Sequence, residues 1–161
     1  MFGFEEATAI VAWGTFTFTQ LTSYNAGSSR EWYTKNRPDW SPPGWGFPIV
    51  WTVLYAACTT AIFYHTQIAL ADSWQLWVGV MLYIIHMLLN KFWSVLFWDY
   101  ESPGGALIVL CFMILTGVAL IITSALLPSS GTLFWVPVML ESIYMAWLIY
   151  AFILNAHWVT N

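Results

Sequence analysis

Residues 105–127 read GALIVLCFMILTGVALIITSALL, a run without Asp, Glu, Lys or Arg, bounded by Pro103-Gly104 before it and Pro128-Ser129-Ser130-Gly131 after it. A helix crossing a bilayer needs roughly 20 predominantly apolar residues, and this run meets that length between two clusters of turn formers. An ionised side chain at mid-bilayer costs about 2.5–3.5 kcal/mol on insertion scales, so the remaining charges mark the loops. Working outward on that rule places five spans, at about 6–24, 45–70, 73–98, 105–127 and 134–158. The first span ends in Asn25-Ala26-Gly27-Ser28-Ser29, and a polar loop follows it to Gly44. Asp72 and Ser73 make a turn with an N-cap for the third span, and Pro137 begins or kinks the fifth. No repeat or low-complexity tract divides residues 1–161, so the sequence predicts one all-α domain, an integral membrane five-helix bundle.

Composition agrees with that reading and removes other classes. The 161 residues are 60% hydrophobic and 7% charged, against the quarter or so of charged residues that a water-facing surface requires. Four basic residues and a net charge of -4 cannot follow a phosphate backbone, so no nucleic-acid partner is expected. Cys58 and Cys111 sit in apolar stretches with no nearby Cys or His, which points to packing rather than to a disulfide or a metal site. Met1 to Glu6 has neither a basic region nor a small-residue cleavage site, so the first apolar run reads as a retained helix rather than a signal peptide. Arg30, Lys35 and Arg37 all follow the first span. The positive-inside rule then puts this loop and the C-terminus on the cytoplasmic side of a multi-pass protein.

Unusual residues are densest in Trp32-Tyr33 and in Arg37-Pro38-Asp39-Trp40-Ser41-Pro42-Pro43-Gly44-Trp45-Gly46-Phe47, continuing into Trp51 and Tyr55. Prolines stiffen a loop and aromatics give it apolar mass, so the stretch reads as an ordered lid over a site; an interfacial aromatic belt is the plainer use of the same residues. His86, Asn90, Trp93 and Phe97 fall at i, i+4, i+7 and i+11 and share a helix face. A polar pair there faces the bundle interior, as part of a site or as hydrogen-bonding glue between helices. Tyr144, Trp147, Ala151 and Leu154 form a similar stripe in the fifth span. Lys91, near the end of its span, is placed to snorkel to the interface, whereas Glu141, about two turns into the fifth span, is a functional candidate without an evident partner.

These residues resemble the tryptophan-rich TspO/translocator protein (peripheral benzodiazepine receptor) family over most of the chain. Trp32-Tyr33, the run from Arg37 to Trp45, and Val50-Trp51-Thr52-Val53-Leu54-Tyr55 are similar to the family's WY, KPxWxPPxW and VWTxLY elements. Asn90-Lys91-Phe92-Trp93-Ser94-Val95-Leu96-Phe97-Trp98 resembles NxxWxPxFF, and Tyr144-Met145-Ala146-Trp147 with Leu154-Asn155 resembles PYLAW and YLN. Arg37 stands for the usual Lys, the spacer before Pro38 is one residue short, Val95 and Ile143 replace prolines, and His86 stands where Gln is frequent. Lys91, Asp99 and Glu141 are further departures, which mark a divergent member.

The resemblance implies a five-helix bundle, commonly a homodimer, with a pocket under the first loop. Its ligands would be porphyrin or haem, with sterols and synthetic drugs in animal members, and no obligatory cofactor. Local chemistry agrees with a tetrapyrrole: Trp32, Trp40, Trp51, Trp93 and Trp147 offer aromatic faces to a flat macrocycle, and Arg30, Lys35 and Arg37 offer cations to its propionates. The expected lining is Trp32, Tyr33, Trp40, Pro42, Pro43, Trp51, Tyr55, His86, Asn90, Trp93, Phe97, Tyr144, Trp147 and Ala151. The leading expectation is a tetrapyrrole-binding sensor, scavenger or carrier. A second is porphyrin breakdown supported by Trp51, Trp93 and Trp147. A third is sterol or lipid transport, disfavoured because residues 155–161 hold no Lys or Arg. A fourth is an accessory subunit of a pigment-containing assembly, in which His65, His86 or His157 would ligate haem iron or a chlorophyll magnesium.

Overall fold

The computed structural model describes residues 13–14, 29–69, 73–128 and 132–160. Every regular element among them is helical. A short helix α1 (Ser29–Asn36) precedes α2 (Gly46–Ile68), α3 (Trp74–Ser94), α4 (Pro103–Ala125) and α5 (Trp135–Thr160). Helices α2 to α5 are four spans long and apolar enough to cross a bilayer. The expected first span, 6–24, lies outside the described residues apart from Trp13 and Gly14.

Local chemistry accounts for the ends of these helices. Ser73 caps α3, its hydroxyl accepting from the Leu76 N–H at 3.3 Å and relieving one of the orphan donors of a first turn. Pro103 opens α4, and Pro137 lies in the first turn of α5; a missing N–H costs nothing at such positions. At its far end α3 widens into a π-helical turn, Val95–Asp99, closed by Tyr100 N–H donating to the Val95 carbonyl at 3.1 Å. Glu101 follows at φ 47°, a left-handed residue that ends the helix and turns the chain into α4.

Short connections make α2 to α5 run up and down. The starts of α2 and α4 share one end with the finish of α3 and α5, here the lid end. Helix α4 packs along both α3 and α5, α2 packs on α5 and more lightly on α3, and the pairs α2–α4 and α3–α5 touch least, so the order around the bundle is α2, α5, α4, α3. Outward positions such as Ile85, Leu88 and Phe92 on α3, Ile108, Leu115 and Ile122 on α4, and Met139, Ile149 and Ile153 on α5 are exposed. Such continuous apolar faces suit lipid and not water. Exposed Trp40, Trp45 and Tyr100 ring the lid end and Trp74, Trp77 and Trp135 the other, the two aromatic belts of a membrane-spanning protein. The chain is an integral membrane helical bundle.

One expectation needs correction. Residues 29–36 are read as loop from the sequence, yet they form α1. Its Trp32 and Tyr33 pack on Trp158, with centroids 5.0 and 5.3 Å away, and this tertiary anchoring supplies what an isolated two-turn helix lacks.

Candidate functional site

The lid is locked from several sides. The Tyr33 hydroxyl donates to the Pro42 carbonyl at 2.6 Å, the Arg37 guanidinium to the Ser41 carbonyl at 2.9 Å, and the Trp158 indole to the Asn36 carbonyl at 2.6 Å. Burial pushes the Tyr33 hydroxyl above its ordinary range, which keeps it a neutral donor. Backbone turns from Pro38 to Ser41 and from Pro43 to Gly46 complete the fold of the loop. The Trp158 bond also fixes the last turn of α5 beside α1, so lid and C-terminal turn share one end.

Beneath it the residues expected to form a single pocket divide into three regions. The first is an aromatic plug. Tyr33 and Phe97 are fully buried; Phe97 stacks on Trp93 at 5.2 Å and on Trp158 at 4.9 Å, and Trp32 meets its edge at 5.7 Å. These rings fill space rather than enclose it, so Trp32, Tyr33, Trp93 and Phe97 do not line an open site.

The second is a closed polar core. The Thr116 hydroxyl donates to the Phe112 carbonyl at 2.9 Å, so it accepts from His86 Nδ1–H at 2.7 Å. That fixes the tautomer and leaves Nε2 to accept from the Tyr144 hydroxyl at 2.9 Å. Asn90 Nδ2 donates to the same Tyr144 oxygen at 2.8 Å, while Asn90 Oδ1 accepts from Tyr55. Each polar group of His86, Asn90, Tyr55 and Tyr144 is thus used within the bundle, the glue role rather than the ligand role. Trp51 lies over this core, 5.3 Å from Trp93, and Ala151 is buried in packing.

The third region is an open groove of about 630 Å³ between the lid, α2 and α5, lined by Trp40, Ser41, Pro42, Val50, Leu54, Ile143, Ala146, Trp147 and Tyr150. Its size falls in the roughly 300–1,000 Å³ range of small-molecule sites. Trp147 and Tyr150 lie 5.2 Å apart at 35°, and Trp40 meets Tyr150 edge-on at 6.0 Å. Two buried polar atoms of its lining make no hydrogen bond of ordinary geometry, Trp147 Nε1 and Ser41 Oγ; the Ser41 hydroxyl lies near the Tyr33 phenol, whose proton is spent on the Pro42 carbonyl. Buried polar groups are nearly always paired; the other exceptions among the described residues, Trp51 Nε1, Asn155 Nδ2 and Glu141 Oε2, lie outside the groove, and an acceptor for the indole and a partner for the hydroxyl are what the groove lacks.

Of the expected lining, only Trp40, Pro42 and Trp147 meet here; Pro43 is half-buried in the lid. Arg37 braces the lid beside the groove, Lys35 is exposed on α1, and the Arg30 side chain lies outside the described residues. Val50, Leu54, Ile143, Ala146 and Tyr150 were missed. Positions 143, 146, 147 and 150 follow the i, i+3, i+4, i+7 rule, so the face was legible; the stripe chosen from the sequence, 144-147-151-154, is turned by about 100° toward the interior. His65 and His86 both have their ring nitrogens engaged, which does not fit axial ligation of a metal.

The family model for TspO/MBR matches residues 7–160. The tryptophan-rich protein TspO of Chlorobaculum tepidum is 32% identical over 129 residues, 77% of this chain and 75% of that protein. The tryptophan-rich sensory protein of Cereibacter sphaeroides is 33% identical over 52% of this chain and 50% of its own length. Protein CrtK of Rhodobacter capsulatus is 24% identical over 51% of each.

Proposed function

The chain belongs to the TspO/MBR family, and from that premise we propose that it is a membrane receptor for a flat, amphiphilic tetrapyrrole, porphyrin or haem, held in the groove between the lid, α2 and α5. The observation that carries this reading is the pair of unpartnered buried groups, Ser41 Oγ and Trp147 Nε1, in an aromatic-lined groove. A macrocycle stacks on Trp147 and Tyr150 under the edge of Trp40, with its apolar body against Val50, Leu54 and Ile143. Its carboxylates reach the lid, where Arg37 offers the guanidinium N–H groups that Ser41 leaves free. Lid and C-terminal turn face the cytoplasm on this reading, because the cations of the first loop stay on that side.

The test is a titration of the detergent-purified protein with protoporphyrin IX and with haem, followed by tryptophan quenching and the Soret band. Saturable one-to-one binding that weakens about tenfold or more in Trp147→Phe, equivalent to about 1.4 kcal/mol, supports the groove. Unchanged affinity in that variant removes it. A second reading, porphyrin breakdown, is favoured by the row of indoles leading inward from the groove, Trp147 to Trp51 at 6.1 Å and Trp51 to Trp93 at 5.3 Å. Loss of Soret absorbance under light and oxygen in wild type but not in Trp147→Phe is its signature.

A further inference from the structure

At the end of the bundle away from the lid, a second polar chain crosses all four spans. His65, in the last turn of α2, is fully buried. Its Nε2 lies 2.9 Å from the Gln75 carbonyl of α3, and its Nδ1 lies 2.9 Å from Ser124 Oγ of α4. Ser124 Oγ lies 3.1 Å from Glu141 Oε1 of α5. Helix α3 makes room for this chain at Gly79, where an added Cβ would sit 2.2 Å from His65 Nε2. The other carboxyl oxygen, Glu141 Oε2, is buried without a partner. The Glu141 side chain borders a small cavity of about 10 Å³ that Cys58, Tyr83, His86 and Tyr144 also line.

Counting protons along the chain restricts its states. A carbonyl only accepts, so Nε2 carries a proton whatever the pH. Ser124 has one hydroxyl proton and two neighbours, Nδ1 and Oε1. If Glu141 is a neutral acid, it donates to Ser124, and Ser124 donates to Nδ1. If His65 is an imidazolium, Nδ1 donates to Ser124, and Ser124 donates to the carboxylate. Both states use every bond and carry the same net charge. Remove one proton and Ser124 can satisfy only one of two acceptors, which leaves a buried group unpaired.

We infer that His65, Ser124 and Glu141 form a proton-binding site holding one exchangeable proton, shared between carboxyl and imidazole through the Ser124 hydroxyl, with one water in the adjacent cavity as the second partner of Glu141. Interconversion breaks the Glu141 O–H bond as Ser124 Oγ gains that proton, and breaks the Ser124 O–H bond as Nδ1 gains the other; no electrons change hands. A cavity of this size holds about one water. Tyr144, which accepts from Asn90 and donates to His86, retains an acceptor lone pair for it. Such a water joins the proton site to the closed polar core.

The titratable groups facing Glu141 are Cys58 and His65 from α2, Tyr83 and His86 from α3, and Tyr144 from α5, while α4 supplies the non-titrating Ser124. Among the described residues every Lys and Arg belongs to α1, the lid or the lid-end turn of α3. Two imidazoles remain: His86 borders the same cavity with its ring nitrogens engaged by Thr116 and Tyr144, and His65 is the one linked by hydrogen bonds, through Ser124, to this carboxyl group. Intramembrane carboxyl and imidazole groups linked in this way are the usual parts of a proton relay, and they titrate as a unit rather than as separate residues.

Infrared difference spectroscopy of the full chain in lipid, taken across pH in H₂O and D₂O, tests this. The expected result is a protonated-carboxyl C=O band that shifts in D₂O and disappears in Glu141→Gln. Its titration midpoint should move by about one pH unit or more, a tenfold change in proton affinity, in Ser124→Ala and in His65→Gln. Ser124→Thr, which keeps the hydroxyl, should return the midpoint toward wild type. A chain without a band that Glu141→Gln removes, or with a midpoint indifferent to both Ser124 and His65 changes, overturns the shared proton. None of the three residues lines the groove, so the outcome is independent of the tetrapyrrole reading.

Discussion

The groove beside α5 and the polar core beneath it are built from the same residue types, Trp, Tyr and small polar groups, and they are adjacent on one helix, yet they do opposite things. In the core, His86, Asn90, Tyr55 and Tyr144 consume one another's hydrogen-bonding capacity. In the groove, Ser41 Oγ and Trp147 Nε1 are left over beside open volume, whereas the unpartnered Trp51 Nε1 and Asn155 Nδ2 are enclosed by packing. The difference teaches that residue type does not mark a binding surface inside a membrane protein; unspent polar capacity beside open volume does. A closed network rigidifies helices against one another, whereas an open one waits for a partner.

Substitutions on the two sides should separate stability from binding. The largest effect is expected for Trp93→Ala, which empties the stack between Trp51 and Phe97 and should cost about 3–5 kcal/mol of stability, read as a lowered Tm in detergent. A small shift there would mean that the plug is not the core it resembles. Asn90→Leu should cost about 1–3 kcal/mol, because Tyr55 and Tyr144 each lose a buried partner; an unchanged Tm with weakened protoporphyrin binding would instead return Asn90 to the site. Ser41→Ala should leave stability, read from Tm, within about 0.5 kcal/mol of wild type while weakening protoporphyrin IX binding by about 1 kcal/mol, roughly fivefold. Were it to do the reverse, the distinction between groove and core would fail. The smallest change is expected for Glu101→Gly, outside both regions. Relief of a left-handed backbone, worth about 1 kcal/mol, is largely offset by the greater freedom of glycine in the unfolded chain. Near-unchanged Tm and affinity there provide the reference for the other three.

Much of the fold was legible because lipid makes the sequence simple to read. Charges locate loops, and long apolar runs such as 105–127 leave few alternatives to helix. Ser73 as a cap and Pro137 in an opening turn follow from backbone chemistry within a few residues of each. Helix α1 was not legible, because its stability comes from Trp158, more than a hundred positions away. The candidate site was half legible. The lid residues Trp40 and Pro42 and the indole of Trp147 stand out in the sequence, but the side of α5 that lines the groove depends on how that helix is rotated against α2. Positions 143 and 144 are neighbours in sequence and face different surroundings, and composition does not choose between them.

Sequence alone determined that the protein crosses a membrane as a helical bundle, that it belongs among the tryptophan-rich relatives it resembles, and that a stiff aromatic loop covers one end. Tertiary structure decided which polar groups are spent and which remain. It closed the His86 core, left Trp147 and Ser41 open, and brought His65, Ser124 and Glu141, from three different helices, into one chain. The physical reason is one of range. Hydropathy, capping and turn preference act over a few residues, whereas the pairing of buried polar groups depends on helix rotation and on close approaches such as the one at Gly79, which are set by the packing of the whole bundle.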